Sequence, residues 1–323
     1  MRRRDRRVLI GSVIFAVVLL VAAIVAVMIF KKMKQEPVVA VYQEQEKPED
    51  VVRWKNQEYR YNDHLSNYLF IGVDKYEVEA GQCDALFLLS YDRVTKDIAV
   101  ISIPRDTITD IEVFLADGTS GGMSRNHISL SYSFGDGAHE SCQLTKEAVS
   151  HLFYGLYING YCAMNMSGLP VIPEVIGEFE VVVPDDSLER ADLQWKEGST
   201  VMITAENAED FVRYRDIEVS MSALARQGRQ KVFLEAAMEK LEQEFAKDQK
   251  VVTELYEALT PHLVTSMGND LFLELMEAVA SGTEVVSWTI PGEGVTGDVY
   301  DEYQVDDELL YEKIIETFYK KVE

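Results

Sequence analysis

Four arginines, Arg213, Arg215, Arg226 and Arg229, fall within the stretch RYRDIEVSMSALARQGRQ (213–230), which contains no lysine. Guanidinium groups serve better than ammonium groups where a planar, bidentate carboxylate or phosphate must be gripped. Upstream, Asp74 and Asp84 each stand at the rim of an apolar run, and Arg105-Asp106 closes a third. Two carboxylates on neighbouring strand ends suit a hard cation such as Mg²⁺, which takes one or two carboxylates together with substrate phosphates. Arginines facing that cation would hold the remaining phosphate oxygens and offset charge that develops in phosphoryl transfer. These types therefore point to a metal-assisted diphosphate site. They equally suit a structural ion-pair network, with Asp216 and Glu218 as partners for the arginines.

The elements that must position these groups are legible in the apolar pattern. NYLFIGVD (67–74), DALFLLSYD (84–92) and IAVISIP (98–104) are short, rich in branched and aromatic residues, and bounded by turn residues, as buried strands are. YDRVTKDIAV joins the second to the third as a hairpin. DGTSGGMSRNH (117–127) reads as a glycine-rich loop and the GDG at 135–137 as a turn. A helix follows with Leu144, Ala148 and Leu152 at helical spacing, then strands at YCAMN and EVVV separated by a helix in SGLPVIPEVIG. Thr204 is the expected N-cap of a helix that carries Arg213 and Arg215 at its C-terminal end. SALARQGRQKVFLEAAMEKLEQEF is a long amphipathic helix with Leu224, Val232, Leu234 and Ala237 inward and with Arg226 and Gln230 on one face. Two more helices, a strand EVVSWTI and a terminal helix complete residues 251–323. The alternation predicts an α/β fold, a mixed central sheet with helices on both sides in an α/β/α sandwich.

The first residues form a separate object. MRRRDRR precedes Val8–Phe30, a charge-free run long enough to cross a bilayer with some tilt, and MIFKKMK lacks a small-residue cleavage site. The expected layout is a cytoplasmic tail (1–7), a transmembrane anchor (8–30), a juxtamembrane spacer (31–66) and an extracytoplasmic domain (67–323), with its motifs in 67–240 and a C-terminal part in 251–323. The five arginines before the span favour a cytoplasmic N-terminus. The chain carries −24 overall. Eight basic groups and one acid before residue 35 leave −31 for the remainder, so binding to nucleic acid through the general field is excluded. An anionic substrate must be held by local positive charge or a metal. Of the three cysteines, Cys142 and Cys162 are the preferred disulfide pair; three buried thiols are the alternative, equally open.

The motifs LFIGVD, CDALFLL, ISIPRDT, SYSFGDG, FVRYRD and ARQGRQ occur in the order and spacing of the LytR-CpsA-Psr family, which the chain resembles over residues 67–240 and in its N-terminal anchor. Members of that family are bacterial, single-pass, membrane-anchored phosphotransferases that act outside the cell. They move an anionic glycopolymer, such as teichoic acid or capsule, from a polyprenyl-diphosphate carrier to peptidoglycan. The resemblance implies that Asp74 and Asp84 bind Mg²⁺. It implies that Arg105, Arg213, Arg215, Arg226 and Gln230 clamp the diphosphate, and that Arg105, Arg213 and Arg215 act in catalysis, with Asp106 orienting Arg105 or the metal's waters. It also implies an apolar groove for the polyprenyl tail. Arg229 is left outside this set as a solvent-facing residue.

The chain departs from the family pattern in three places. Gln82-Cys83-Asp84-Ala85 stands where Arg-Ser-Asp-Thr is usual, and His127-Ile128-Ser129 replaces Lys-Ile-Asn. Ala223 replaces an aspartate proposed as general base, leaving Asp216 or Glu218 as substitutes. Two other readings follow: a polyprenyl-diphosphate hydrolase, or a non-catalytic anchored module that binds lipid diphosphate. No HExxH or P-loop competes with the arginine cluster.

Overall fold

The structure is a computed structural model that describes residues 51–74, 81–192, 194–216, 218–283, 285–297 and 300–322. The chain divides into two units, Met1–Gln45 and Glu46–Glu323. The expected tail (1–7) and anchor (8–30) lie outside the described residues. Among the described residues, no helix is long and apolar enough to cross a membrane.

The described chain opens with a hairpin of β1 (Val51–Trp54) and β2 (Gln57–Tyr61). Next come β3 (Leu65–Val73), β4 (Cys83–Asp92) and β5 (Ile98–Ile103), then a second hairpin of β6 (Ile108–Phe114) and β7 (Ser120–His127). Helix α1 (His139–Leu152), β8 (Gly160–Asn165), α2 (Val171–Ile176), β9 (Phe179–Val182) and β10 (Thr200–Ile203) lead to α3 (Ala208–Arg213) and the long α4 (Ser222–Phe245). The remainder is α5 (Val251–Leu259), β11 (Leu263–Thr265), α6 (Asn269–Ala280), β12 (Val285–Thr289), the hairpin β13 (Gly292–Thr296) and β14 (Asp301–Val305), α7 (Asp307–Phe318) and β15 (Tyr319–Lys321).

Six strands form one mixed sheet in the order β11-β8-β3-β4-β5-β12. β3–β4 and β4–β5 are antiparallel, whereas β3–β8 and β5–β12 are parallel. The central strands are buried on both faces, which is why they read as continuous apolar runs. Leu69, Ile71 and Val73 pack on one face with Val149 of α1 and Ile314 of α7. Tyr68 and Tyr91 pack on the other with Phe272 and Leu275 of α6. The predicted mixed sheet with helices on both faces is therefore present. The 251–323 part is not separate, because β11 and β12 complete the two edges of this sheet.

Several expectations are corrected. Residues 51–66 are not a spacer: β1 and β2 are folded, and β2 pairs with the C-terminal β15, Tyr61 opposite Tyr319. The glycine-rich segment is not a loop, since β7 runs through it and pairs with β6. The helix expected to begin after Thr204 starts at Ala208; the Asn207 side chain accepts from the Thr204 N–H, and Arg215 lies beyond the helix end. The preferred Cys142–Cys162 disulfide is not formed, and Cys83, Cys142 and Cys162 are all free, buried thiols. The GDG turn is borne out, with a use beyond turning: the Asp136 carboxylate accepts the N–H groups of Ala138, Glu140 and Ser141 and so holds the start of α1.

Candidate functional site

The site starts from an irregularity at the β3–β4 rim. Gly72 pairs with Ala85 and Val73 with Cys83, so Asp84 is the extra residue of a bulge. Bulges re-aim a side chain that regular pleating would send elsewhere. The close approach needs glycine at 72, where a Cβ would lie 2.9 Å from the Cβ of Ala85. Asp74 follows β3 directly, one residue past the Val73–Cys83 pair. Both carboxylates thus leave the sheet at one rim.

Asp84 receives two arginines. Arg226, in the second turn of α4, donates through both terminal nitrogens to its two oxygens at 3.0 and 3.2 Å, and Arg105 donates to the same carboxylate. Arg105 stands just past β5, in a turn fixed by the Thr107 N–H and hydroxyl on the Pro104 carbonyl. Its guanidinium also reaches Gln82 and, at 3.3 Å, Asp106. His127 lies 3.7 Å from Asp106. At the second carboxylate, Arg213 spans both oxygens of Asp74 at 2.5 and 2.6 Å and pairs with Glu209 one turn back on α3. Arg215 is held by Ser222, whose hydroxyl accepts from its Nε at 2.9 Å.

Around Arg226 the electrostatics favour an anion. Burial pulls the Arg226 guanidinium below its ordinary range; Asp84 opposes this, while the nearby charges of Arg105 and Arg215 add to it. Arg213 behaves differently: burial would lower it, yet its bonds to Glu209 and Asp74 outweigh that and raise it. Arg226 Nε and Gln230 Nε2 are buried donors without an acceptor among the described residues. Gln227 Nε2 is a third; unsatisfied buried donors are rare and costly, so three within five residues of one helix beside clustered arginines mark a place for acceptor oxygens.

Of the expected site residues, direct contacts bring together Asp84, Arg105, Asp106 and Arg226, while Asp74 and Arg213 form a second group and Arg215 is held by Ser222. Gln230 lies one turn further on, at the wall of an apolar cavity. Arg229 corrects an expectation: it is 1% exposed, not solvent-facing. It donates to the Phe211 and Tyr214 carbonyls and to Ser187, fixing the end of α3 against α4. Burial lowers its pKa to about 10. Asp216 is turned to Arg190, and Glu218 is exposed. Ala223 is buried in the first turn of α4. Sequence reasoning missed Glu209, for which the i,i+4 spacing to Arg213 was the available signal, and noted His127 only as a departure from the family pattern, without its place beside Asp106.

The cavity holds about 300 Å³ and is walled by Gly72, Ala85, Met166, Phe233, Met238 and Leu241, among others, with Gln230 as the polar side chain at its wall. Gly72 and Ala85 are the register partners beside the Asp84 bulge, so the cavity begins where the carboxylates leave the sheet.

Asp74 and Asp84 offer hard oxygen donors that suit Mg²⁺ in kind. Among the described residues, no group of three carboxylates, histidines or cysteines could hold a metal. Such a pair fits Mg²⁺ when water and substrate oxygens complete its shell.

The LytR_cpsA_psr family model matches residues 27–318. The polyisoprenyl-teichoic acid–peptidoglycan teichoic acid transferase TagU of Oceanobacillus iheyensis is 27% identical over 258 residues, covering 79% of this chain and 75% of that protein. The transferase TagV of Bacillus subtilis is 29% identical over 181 residues, 54% of this chain and 43% of the relative. The fold matches the crystal structure of B. subtilis TagV with a TM-score of 0.61 at 22% identity, over 79% of this chain and 97% of that one. It matches a structure titled TagT bound to LI-WTA with a TM-score of 0.60 at 18% identity, over 79% and 89% of the two chains.

Proposed function

The chain belongs to the LytR-CpsA-Psr family, and from that premise we propose that it is a glycopolymer transferase. It would move an anionic polymer of the teichoic acid or capsule kind from a polyprenyl-diphosphate carrier to peptidoglycan, with polyprenyl phosphate as the leaving group. The relatives' names as teichoic acid transferases support this reading. The observation that carries it is the Asp84–Arg105–Arg226 cluster set beside an apolar cavity, with unsatisfied donors of Arg226 and Gln230 between them. A diphosphate joined to a hydrocarbon tail has that polarity.

Arg105, Arg213, Arg215 and Arg226 would bind the diphosphate oxygens, exchanging their carboxylate partners for phosphate. Arg226 and Arg105 would stabilise the charge that collects on the departing polyprenyl phosphate. Asp106 would keep Arg105 oriented, as its 3.3 Å bond does now. Once their arginines turn to substrate, Asp74 and Asp84 would hold Mg²⁺, which supplies charge neutralisation to the phosphates when bound. The acceptor hydroxyl would attack the sugar-linked phosphorus from the side opposite the tail. Membrane anchoring through residues 8–30, with the domain outside the cell, is part of the proposal and rests on the charge pattern of the first thirty-four residues.

The test is turnover by the full chain in detergent of a short-chain polyprenyl-diphosphate sugar with Mg²⁺, with and without a peptidoglycan oligomer. Polyprenyl phosphate release coupled to a sugar-phosphate adduct only with the oligomer supports the transferase. Release without adduct gives the hydrolase. Tight binding with no release gives the binding module, for which buried Ala223 in place of an acid is the specific observation.

A further inference from the structure

A second cavity, of about 280 Å³, lies at the N-terminal end of α4, between the segments 185–190 and 214–222. Ser222, Ala225 and Arg229 line it from one stripe of α4, whereas Gln230, Phe233 and Leu234 line the apolar cavity from the adjoining stripe. Arg226 stands between the two stripes, and Arg215 lines the second cavity. The diphosphate clamp is thus flanked by an apolar space on one side and a polar one on the other.

We propose that the polar cavity is the subsite for the acceptor, a neutral sugar ring of the glycan strand. This rests on the transferase reading. An in-line displacement needs nucleophile and leaving group on opposite sides of phosphorus. With the hydrocarbon tail on the apolar side, the hydroxyl enters from the other. The lining fits a neutral ligand. Three aspartates (185, 186, 216) face three arginines (190, 215, 229), so no net charge draws a polyanion. Several of these groups are already engaged: Arg190 with Asp216, Arg229 with two carbonyls, and Asp185 with the Ser187 N–H. Tyr214, Val219 and Met221 add apolar surface for the C–H face of a sugar, and carboxylate oxygens accept from its hydroxyls. The volume suits one ring rather than a polymer repeat.

The experiment compares wild type, Ala225→Leu, which narrows the cavity, and Asp186→Ala, which removes an exposed carboxylate at its edge. Neither residue belongs to the clamp. Acceptor saturation is measured on the full chain in detergent with soluble uncrosslinked glycan strands, after circular dichroism has checked folding. The expected result is an acceptor KM raised about tenfold or more in Ala225→Leu and less in Asp186→Ala. Donor KM and acceptor-free donor cleavage stay unchanged. A rise in donor KM instead gives the cavity to the donor's sugar and overturns the proposal, as does an unchanged acceptor KM. If wild type shows no transfer at all, the transferase reading fails, and saturation-transfer NMR with the N-acetylglucosamine–N-acetylmuramic acid disaccharide, its lactyl carboxyl capped as the neutral methylamide, decides the subsite separately. Signals present for wild type and lost in Ala225→Leu uphold it. Equal signals in both, or none for wild type, overturn it.

Discussion

Arg226 closes on both oxygens of Asp84, joining the second turn of a long helix to the bulged residue of a central strand 142 positions away in sequence. The two side chains are 7% and 9% exposed, so this is a buried ion pair rather than a surface one. A buried pair contributes little net stability while intact, but breaking it on one side leaves an uncompensated charge. The contact is therefore suited to exchange: an incoming phosphate replaces the carboxylate without the arginine ever being bare.

Asp84→Ala should expose this logic. Without ligand, Arg226 and Arg105 lose their shared acceptor, and the domain should lose about 3–5 kcal/mol in urea denaturation. Pyrophosphate should restore more stability to the variant than to wild type, because it supplies the missing oxygens. Turnover should fall by roughly a hundredfold or more, since the arginines lose their alignment and the proposed Mg²⁺ loses a ligand. Equal stabilisation of both proteins by pyrophosphate would count against the exchange.

Arg229 should separate from its neighbour. Arg229→Met leaves the Phe211 and Tyr214 carbonyls without their donor, at about 1–3 kcal/mol each. Arg226→Met removes a buried charge while Asp84 keeps Arg105. Urea midpoints should drop clearly for the first and much less for the second, whereas diphosphate binding should fail in the second. The opposite ranking would place Arg229 in the clamp.

The contrast between these two arginines shows how far the sequence could be read. Strand-end position singled out Asp74, Asp84 and Arg105, because apolar runs ending in charges admit few placements, whereas Arg226 stood out by residue type within an arginine-rich helix. The two stripes of α4 were not separable that way. Arg226 and Arg229 differ by one turn's offset, and only the packing of α3 against α4 decides which one meets backbone carbonyls. Leu224, Val232 and Leu234 were expected inward, yet they are half-buried; Arg226, Arg229, Gln230 and Phe233 take the buried face. The β6–β7 hairpin escaped notice because SGGMSRNH lacks alternation, its residues being mostly exposed. The pairing of β2 with the three-residue β15 is a contact between the two ends of the domain, which no local pattern encodes.

Alkaline pH should destabilise the domain through its thiols. Burial pushes Cys83 and Cys162 from about 9 up to about 12, and pushes Cys142 up as well. Between those limits the unfolded chain releases protons that the native state keeps, so stability is full below about pH 9 and falls as pH rises toward 12. The urea midpoint should decline across that window, and Cys83→Ala should flatten the decline. Native protein at pH 8 should resist a thiol-labelling reagent, while three thiols should react in urea. Prompt labelling of the native state would contradict the buried placement.

The apolar cavity makes a prediction that distinguishes lipid from headgroup recognition. Met238 lies on its wall, two turns along α4 from Gln230 and away from the arginines. Met238→Glu places a charge against the chain without altering any clamp residue. Each methylene buried there is worth about 0.8 kcal/mol, so donors with longer chains gain more from the cavity and lose more when it becomes polar. The KM of a long-chain polyprenyl-diphosphate donor should therefore rise about tenfold or more, while that of a donor too short to reach Met238 should barely change. The variant's kcat should stay near wild type, because the arginine–carboxylate geometry is intact. A uniform rise for short and long donors alike would mean that the cavity supports the clamp rather than the tail, and the lipid assignment would fall.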